Sequence, residues 1–118
     1  MRAIKVRAWS KSQQKYVWRS ELIPLLYGII KKEEIGDLIL EQFSDHFDIN
    51  NVEIYENDLV ECVGSVYQIV YKNGAFGLTP YPLKNQMEAS FLYIWMMDKN
   101  KIEVIGNINQ NQFGVSDD

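Results

Sequence analysis

His46 is the only histidine of the chain, so a catalytic triad or a histidine metal site would have to use it. Asp45, Asp48 and Glu53 lie close to it in the sequence, and carboxylate oxygens are ligands that Ca²⁺ and Mg²⁺ prefer. Their spacing departs from the EF-hand loop, which needs oxygen ligands at its first, third and fifth positions and glycine at its sixth. We therefore expect a solvated acidic loop and no metal site.

The sequence contains none of the common catalytic motifs. The phosphate-binding loop, the dinucleotide fingerprint and the nucleophile elbow are all missing. A single cysteine, Cys62, excludes an internal disulfide and a Cys-x-x-Cys pair. Because Cys62 lies in the apolar run 59–63, we expect it in the core. We predict a protein that is not an enzyme, with no catalytic residue, no cofactor and no small-molecule substrate.

Basic and aromatic residues alternate near the N-terminus. Arg7, Trp9, Lys15, Trp18 and Arg19 are candidates to stack on bases and bind the phosphates of a single-stranded nucleic acid. The same side chains are equally suited to cover one face of a hairpin, with arginine stems packed on the rings. The acidic balance of the whole chain favours the second interpretation, and nucleic-acid contact stays the alternative.

The net charge of −4 is the sum of two segments of opposite charge. Residues 1–32 hold eight basic side chains and one acid, so they carry +7, and the remainder carries −11. Residues 33–61 include ten acids and neither lysine nor arginine. We expect the two segments to face each other, and any contact with an anion to come through residues 2–32. The overall charge disfavours nonspecific binding to duplex nucleic acid or to an anionic membrane.

Length and composition predict one mainly β domain. The chain has 118 residues, 47% of them apolar, which suits a single globular domain. Valine and isoleucine together number 22 against four alanines, a balance typical of strands. No apolar run approaches the length of a membrane span, and the N-terminus lacks the pattern of a signal peptide. We expect a cytoplasmic protein that does not bind membranes.

The first half of the chain predicts a hairpin followed by less regular structure. Residues 4–9 and 16–19 form its strands and 10–15 its loop, with Lys5, Arg7 and Trp9 on the face away from the core. A strand is expected at 27–30. Residues 38–43 fit a strand, and a helix over 32–45 is the competing interpretation. A loop is predicted over 45–51.

The second half predicts a small barrel of short strands. Turns are expected at Glu56-Asn57, at Gly64-Ser65 and at Asn73-Gly74, the last being a strong hairpin signal. Pro80 and Pro82 should end that ladder of strands. Residues 87–97 fit a helix or a strand, and the strand over 91–95 is favoured. A last strand is expected at 102–105, and a frayed tail at 110–118.

Three segments of the chain resemble one known family. Met1–Lys11 resembles its opening motif MREIKFRAWDK, Asp48–Val60 its middle motif DKNGKEIYEGDIV, and Ile102–Ile108 its closing motif LEVIGNIYEN. The family is the YopX-like family of phage and prophage proteins. Asn51 and Asn57 stand where the family has glycines, and asparagine also tolerates left-handed backbone geometry. Both turns should therefore be preserved.

The resemblance implies a single YopX-like domain over residues 1–118, mostly β, with an SH3-type small barrel and at most one or two short helices. The basic β segment would occupy 1–32 and the barrel core about 52–109. It also implies a phage or prophage gene product in a bacterial cytoplasm, with no catalytic residue to carry over.

From this we predict a noncatalytic module that self-assembles or binds a host or phage protein. A regulatory protein that binds single-stranded nucleic acid is the alternative. Asp58 is expected to cap backbone donors or to pair with Arg7, and Gly106 and Asn107 to form the turn that closes the last strand. The expected structural motif residues are Arg7, Trp9, Glu53, Tyr55, Glu56, Asp58, Gly106 and Asn107.

Overall fold

The computed structural model describes residues 4–22, 34–72, 74–82 and 91–110. Within them the chain is mainly β, as expected, and its strands form two antiparallel sheets. The chain divides into two compact units, Met1–Phe43 and Ser44–Asp118. The first unit therefore extends beyond the basic segment 1–32 that the charge pattern marks, and the predicted barrel region lies in the second unit.

The described residues contain ten strands. They are β1 (Ile4–Ser10), β2 (Lys15–Leu22), β3 (Glu34–Ile35), β4 (Leu38–Phe47), β5 (Glu53–Tyr55), β6 (Asp58–Cys62), β7 (Ser65–Lys72), β8 (Ala75–Pro80), β9 (Leu92–Tyr93) and β10 (Ile102–Asn107). Short 3-10 helices at Ile94–Met96 and Lys99–Lys101 lie between β9 and β10. One sheet has the order β2-β1-β4-β3, with β5 also paired to β4, and the other has the order β10-β6-β7-β8-β9.

The predicted N-terminal hairpin is confirmed, and β1 lies between β2 and β4. Every residue from Val6 to Ser10 is buried, although alternation predicts one exposed face. The difference arises because Tyr16 packs against Trp9 and Glu41 pairs with Arg7, so the second face is covered as well. On β2 the register passes from Tyr16 to Trp18, which leaves Val17 as the extra residue of a bulge.

Residues 38–47 form a strand, so the helix over 32–45 is wrong in its described part. Ile39 and Leu40 lie opposite Trp9 and Ala8 of β1. The apolar spacing of this segment fits both the helical period of about 3.6 residues and the strand period of two. Its pairing with β1 makes it a strand. The strand also continues through Asp45 to Phe47, where a loop was predicted, and the turn begins only at Asp48.

The turns of the second unit follow the predicted chemistry. Asn51 and Asn57 both adopt left-handed backbone geometry, with φ of 63° and 73°. Gly74, at φ 81°, directly precedes β8, and Lys72 pairs with Ala75 across the turn. The turn between β6 and β7 lies at Val63–Gly64, one residue earlier than predicted. The β8 ladder ends at Pro80, as expected.

The last strand, β10, runs beyond its predicted end at Ile105. Gly106 lies within β10 opposite Leu59, after a bulge between Val104 and Gly106, so its predicted place in a closing turn is wrong. Asn107 ends the strand, and its side-chain oxygen accepts a hydrogen bond from the N–H of Gln110 over 2.9 Å. The turn therefore follows the strand at residues 108–110.

A buried cluster forms the core of the second unit. Its members come from β5, β6, β7, β8, β10 and the first 3-10 helix: Ile54, Val60, Cys62, Ile69, Leu78, Ile94 and Ile102. Cys62 thus lies in the core, as predicted, and burial raises the pKa of its thiol, which disfavours the reactive thiolate.

Residues 91–96 combine the features of the two alternatives for this apolar stretch. Leu92 and Tyr93 form β9, and Ile94–Met96 is a 3-10 helix. The expected strand at 27–30, the beginning of the apolar stretch at 87–90 and the tail from 111 to 118 lie outside the described residues.

Candidate functional site

A buried ion pair joins β1 to β4 in the first unit. Arg7 Nε donates a hydrogen bond to Glu41 Oε1 over 2.8 Å, and the two side chains are 6% and 0% exposed. The Tyr16 hydroxyl donates to the same oxygen over 2.9 Å, and the Arg7 guanidinium lies 4.3 Å from the Tyr16 ring centroid. Burying charges costs free energy unless they are paired and hydrogen-bonded. The arrangement satisfies that requirement and ties three strands together.

The five residues predicted to contact nucleic acid differ in their exposure to solvent. Arg7 and Trp9 are buried, and the Trp9 ring packs edge-on against Tyr16 with 4.9 Å between centroids. Lys15, Trp18 and Arg19 are exposed on β2. Base stacking needs an accessible ring, so Trp18 is the tryptophan of this group that offers one. The predicted contact set is thus reduced to its β2 members.

Two serines and an aspartate connect the β1–β2 turn to the turn before β4. Asp37 Oδ2 accepts hydrogen bonds from Ser10 Oγ at 2.6 Å and Ser12 Oγ at 2.9 Å, and its Oδ1 accepts the Ser12 N–H at 2.8 Å. The hydrogen bonds from Ser10 and Ser12 lower the pKa of Asp37. A carboxylate with a lowered pKa is a poor general base for activating a serine. The cluster therefore acts as a loop anchor.

Asp48 organises the turn between β4 and β5. It is fully buried, and its Oδ1 accepts the N–H groups of Asn50 and Val52 at 2.8 and 2.9 Å. Its Oδ2 accepts the N–H of Val104 on β10 at 2.9 Å. The left-handed geometry of Asn51 closes the same turn. One carboxylate thus links this turn to the last strand, a role that the sequence analysis did not assign to it.

Asp58 caps a backbone donor at the turn between β5 and β6, which is one of the two roles predicted for it. Its Oδ2 accepts the N–H of Tyr55 over 2.7 Å, and Asp58 is 2% exposed. Glu53 accepts the Tyr55 hydroxyl at 3.1 Å, while Glu56 lies half-buried within the turn. The backbone of Asn57 bonds to Ile69 and Ile108. The pairing of Asp58 with Arg7 stays a prediction.

A row of aromatic side chains, missed by the sequence analysis as a surface feature, lies at β9. We call Phe91, Tyr93 and Trp95 the aromatic row. The Phe91 and Tyr93 rings meet edge-on at 5.1 Å between centroids, and Tyr93 and Trp95 stack at 5.8 Å. Trp95 and the adjacent Met96 are each 64% exposed. The available signal was the apolar stretch 87–97 itself, whose alternate rings in a strand share one face.

Glycine at position 77 makes room for the start of the row. A Cβ added to Gly77 would overlap Cζ of Phe91, so the Phe91 ring rests directly on the backbone of β8. The ammonium of Lys72 lies 5.9 Å from the centroid of the same ring. These contacts fix the first ring of the aromatic row in place.

The described part of the chain offers neither a clustered metal site nor a membrane-spanning helix. It contains no group of three or more histidine, cysteine, aspartate or glutamate side chains arranged to hold a metal ion. No helix among the described residues is long and apolar enough to cross a membrane.

Comparison with known families identifies the chain. A family model described as YopX protein matches residues 25–112, which is well over half of the sequence. The chain belongs to the YopX protein family. The matched range includes two of the three segments on which the resemblance rests, 48–60 and 102–108, whereas the opening segment 1–11 precedes it. No curated protein matches the chain.

The YopX match also places the structural features described above. Asp48, Asp58 and both left-handed asparagines lie in the matched range, as does the aromatic row, whereas Arg7 and Trp9 precede it. The name of the family specifies no activity.

Proposed function

We propose that this YopX family member is a noncatalytic protein-interaction module, a phage or prophage product that acts in the bacterial cytoplasm. The exposure of Trp95 and Met96, each 64%, carries the proposal. Tryptophan and methionine are enriched in protein interfaces relative to the rest of the surface. Tryptophan is also among the residues that most often dominate binding energy. We take Trp95 as the anchor that enters a pocket on a partner protein.

The neighbours of Trp95 support this role because they hold the indole before a partner arrives. Tyr93 stacks on it, Phe91 meets Tyr93 edge-on, and Phe91 rests on Gly77. A side chain that is already ordered loses less conformational entropy on binding, so more of its contact energy appears as affinity. Leu92, 42% exposed on the same short strand, extends the apolar surface.

The test compares Trp95→Ala with Ile49→Ala, a change at another exposed apolar side chain of the same unit. The 49% exposure of Ile49 makes it a matched control. The immobilised wild-type protein is incubated with a lysate of bacteria that carry this gene, and the proteins it retains are identified by mass spectrometry. The affinity of the purified partner for the wild type and for each variant is then measured. We expect Trp95→Ala to weaken binding about 30-fold, corresponding to about 2 kcal/mol, and Ile49→Ala to leave it unchanged. Equal affinities for the two variants would refute the proposal.

Single-stranded nucleic acid is the second candidate ligand for the same surface. The stacked Tyr93 and Trp95 rings, with Lys72 beside Phe91, combine the aromatic and cationic groups that base stacking and phosphate binding require. Fluorescence anisotropy with a labelled oligothymidylate at low salt tests this candidate. Binding that falls with added salt and is lost in Trp95→Ala would support it, and no binding would dismiss it.

We also propose that the second unit closes as an SH3-type small barrel. The strand order β10-β6-β7-β8-β9 places the last strand of the unit beside the first strand of this sheet, and a 3-10 helix leads into β10. The buried cluster draws on β6, β7, β8 and β10, as expected when a sheet curls around one core. Nuclear Overhauser contacts between Ile102 and Leu78 or Ile94 should be observed. Their complete absence would indicate an open sheet.

A further inference from the structure

β2 is the outer strand of its sheet among the described residues. It pairs with β1 and ends the order β2-β1-β4-β3. It is eight residues long and contains no proline, and Trp18 on it is 39% exposed. Proteins usually protect edge strands by keeping them short or by placing proline or bulges on them. The bulge at Val17 is such a device, and it protects only the beginning of β2.

Beyond the bulge, β2 offers a regular stretch for pairing. Residues 18–22 lie opposite residues 8–4 of β1 without interruption. In such a ladder, the N–H and C=O groups of alternate residues point away from the neighbour strand and are available to another strand. A stretch of five residues is the common length of a β-strand in globular proteins.

The sequence of this stretch is complementary to itself. If a second copy runs antiparallel with a two-fold axis at Ser20, Arg19 of each copy lies opposite Glu21 of the other. Opposite charges at directly facing positions stabilise a strand pair. The two-fold symmetry makes each of these contacts occur twice. Trp18 of each copy then faces position 22 of the other.

We propose that the chain forms a two-fold symmetric dimer in which β2 pairs antiparallel with β2 of a second copy about an axis at Ser20. The contact extends the first sheet across both copies. This inference goes beyond the proposed function because it concerns the first unit, whereas the partner surface lies at the aromatic row. The Trp95→Ala variant should therefore still dimerise.

A charge exchange tests the register. Arg19→Glu places two glutamates opposite each other, and Glu21→Arg places two arginines opposite each other, so each single variant should weaken dimerisation at least about tenfold. The double variant restores opposite charges and should recover the wild-type dissociation constant. Sedimentation velocity over a range of protein concentrations measures all four proteins. Because Glu21 also lies opposite Lys5, unfolding curves confirm that each variant is folded.

Cross-linking tests the position of the axis. Ser20→Cys places two thiols at facing positions of the dimer, within the Cα separation that a disulfide requires. Mild oxidation should give a covalent dimer that disappears on reduction. Lys15→Cys, also on β2, is the control, because two copies of position 15 would lie roughly 33 Å apart in this register. The buried Cys62 is common to both variants and to the wild type.

Two results would overturn the dimer. One is a wild-type protein that stays monomeric at the highest concentration measured. In that case any strand that pairs with β2 would have to come from a different protein. The other is a dimer whose dissociation constant responds identically to the single and the double charge variants. Cross-linking of Lys15→Cys without cross-linking of Ser20→Cys would reject the Ser20 axis.

Discussion

Two buried aspartates of the second unit accept hydrogen bonds from backbone N–H groups at turns. Asp48 receives three of them and is fully buried, and Asp58 receives the N–H of Tyr55. A buried N–H group that loses its acceptor costs the protein its full desolvation penalty. These carboxylates therefore matter for the fold although no catalytic role is assigned to them.

Replacing Asp58 should cost much more than replacing an exposed acid on the same strand. Asp58→Ala removes the acceptor for Tyr55 N–H and should lower the free energy of unfolding by about 1–3 kcal/mol. Glu61→Ala, at an exposed position of β6, should change it by no more than about 0.5 kcal/mol. Urea unfolding of both variants measures the difference. Equal effects would contradict the assigned role of Asp58.

Val63 is a residue whose replacement should stabilise the protein. It is 80% exposed and has φ of 51°, a conformation that β-branched residues adopt only with strain. Val63→Asn should raise the free energy of unfolding by about 1 kcal/mol, because asparagine followed by glycine suits such a hairpin turn. Val52→Asn, another exposed valine but without a positive φ, is the control for the change of side chain. A Val63→Asn variant no more stable than wild type would show that the turn carries no strain.

At the scale of elements, the loop between β1 and β2 is fixed by the turn that precedes β4. Asp37 supplies both carboxylate oxygens to this contact, and its backbone C=O accepts the N–H of Lys11 at 2.9 Å. The side-chain part of the contact depends on the ionised carboxylate, since a protonated oxygen accepts hydrogen bonds less well. The stability that this contact gives to the loop should therefore depend on pH.

The pH response has a definite sign. Hydrogen bonds from Ser10 and Ser12 lower the pKa of Asp37 from its ordinary 3.8, so its contribution to stability is present above that value and is lost as pH falls through the folded pKa. Asp37→Asn should lower the urea midpoint at neutral pH, and the difference from wild type should shrink as the pH falls below 3.8. Glu61→Gln is the control at an exposed carboxylate. A difference that stays constant with pH would contradict the anchoring role.

Turn chemistry is the part of the fold that the sequence predicts best. Asn51, Asn57 and Gly74 adopt positive φ as their residue types indicate, because the requirement is local. The burial of both faces of β1 was missed, because it depends on Glu41 and Tyr16, which are distant in sequence. The aromatic row was missed for the same reason, since an apolar stretch does not reveal which of its rings remain uncovered.

At the scale of the whole molecule, the two units differ in how they are stabilised. All seven members of the buried apolar cluster belong to the second unit. In the described part of the first unit, one buried ion pair and its aromatic neighbours connect the three strands β1, β2 and β4. Chains of about 40 residues rarely bury enough apolar surface to fold alone, whereas longer ones often do.

The second unit should therefore fold without the first. We expect a fragment spanning residues 44–118 to unfold cooperatively in urea and to give a dispersed amide spectrum, and a fragment spanning residues 1–43 to give neither. Ile69→Ala in the larger fragment, which removes a fully buried side chain of the cluster, should lower its free energy of unfolding by about 2–5 kcal/mol. A larger fragment without a cooperative transition would show that the core of the second unit requires residues 1–43.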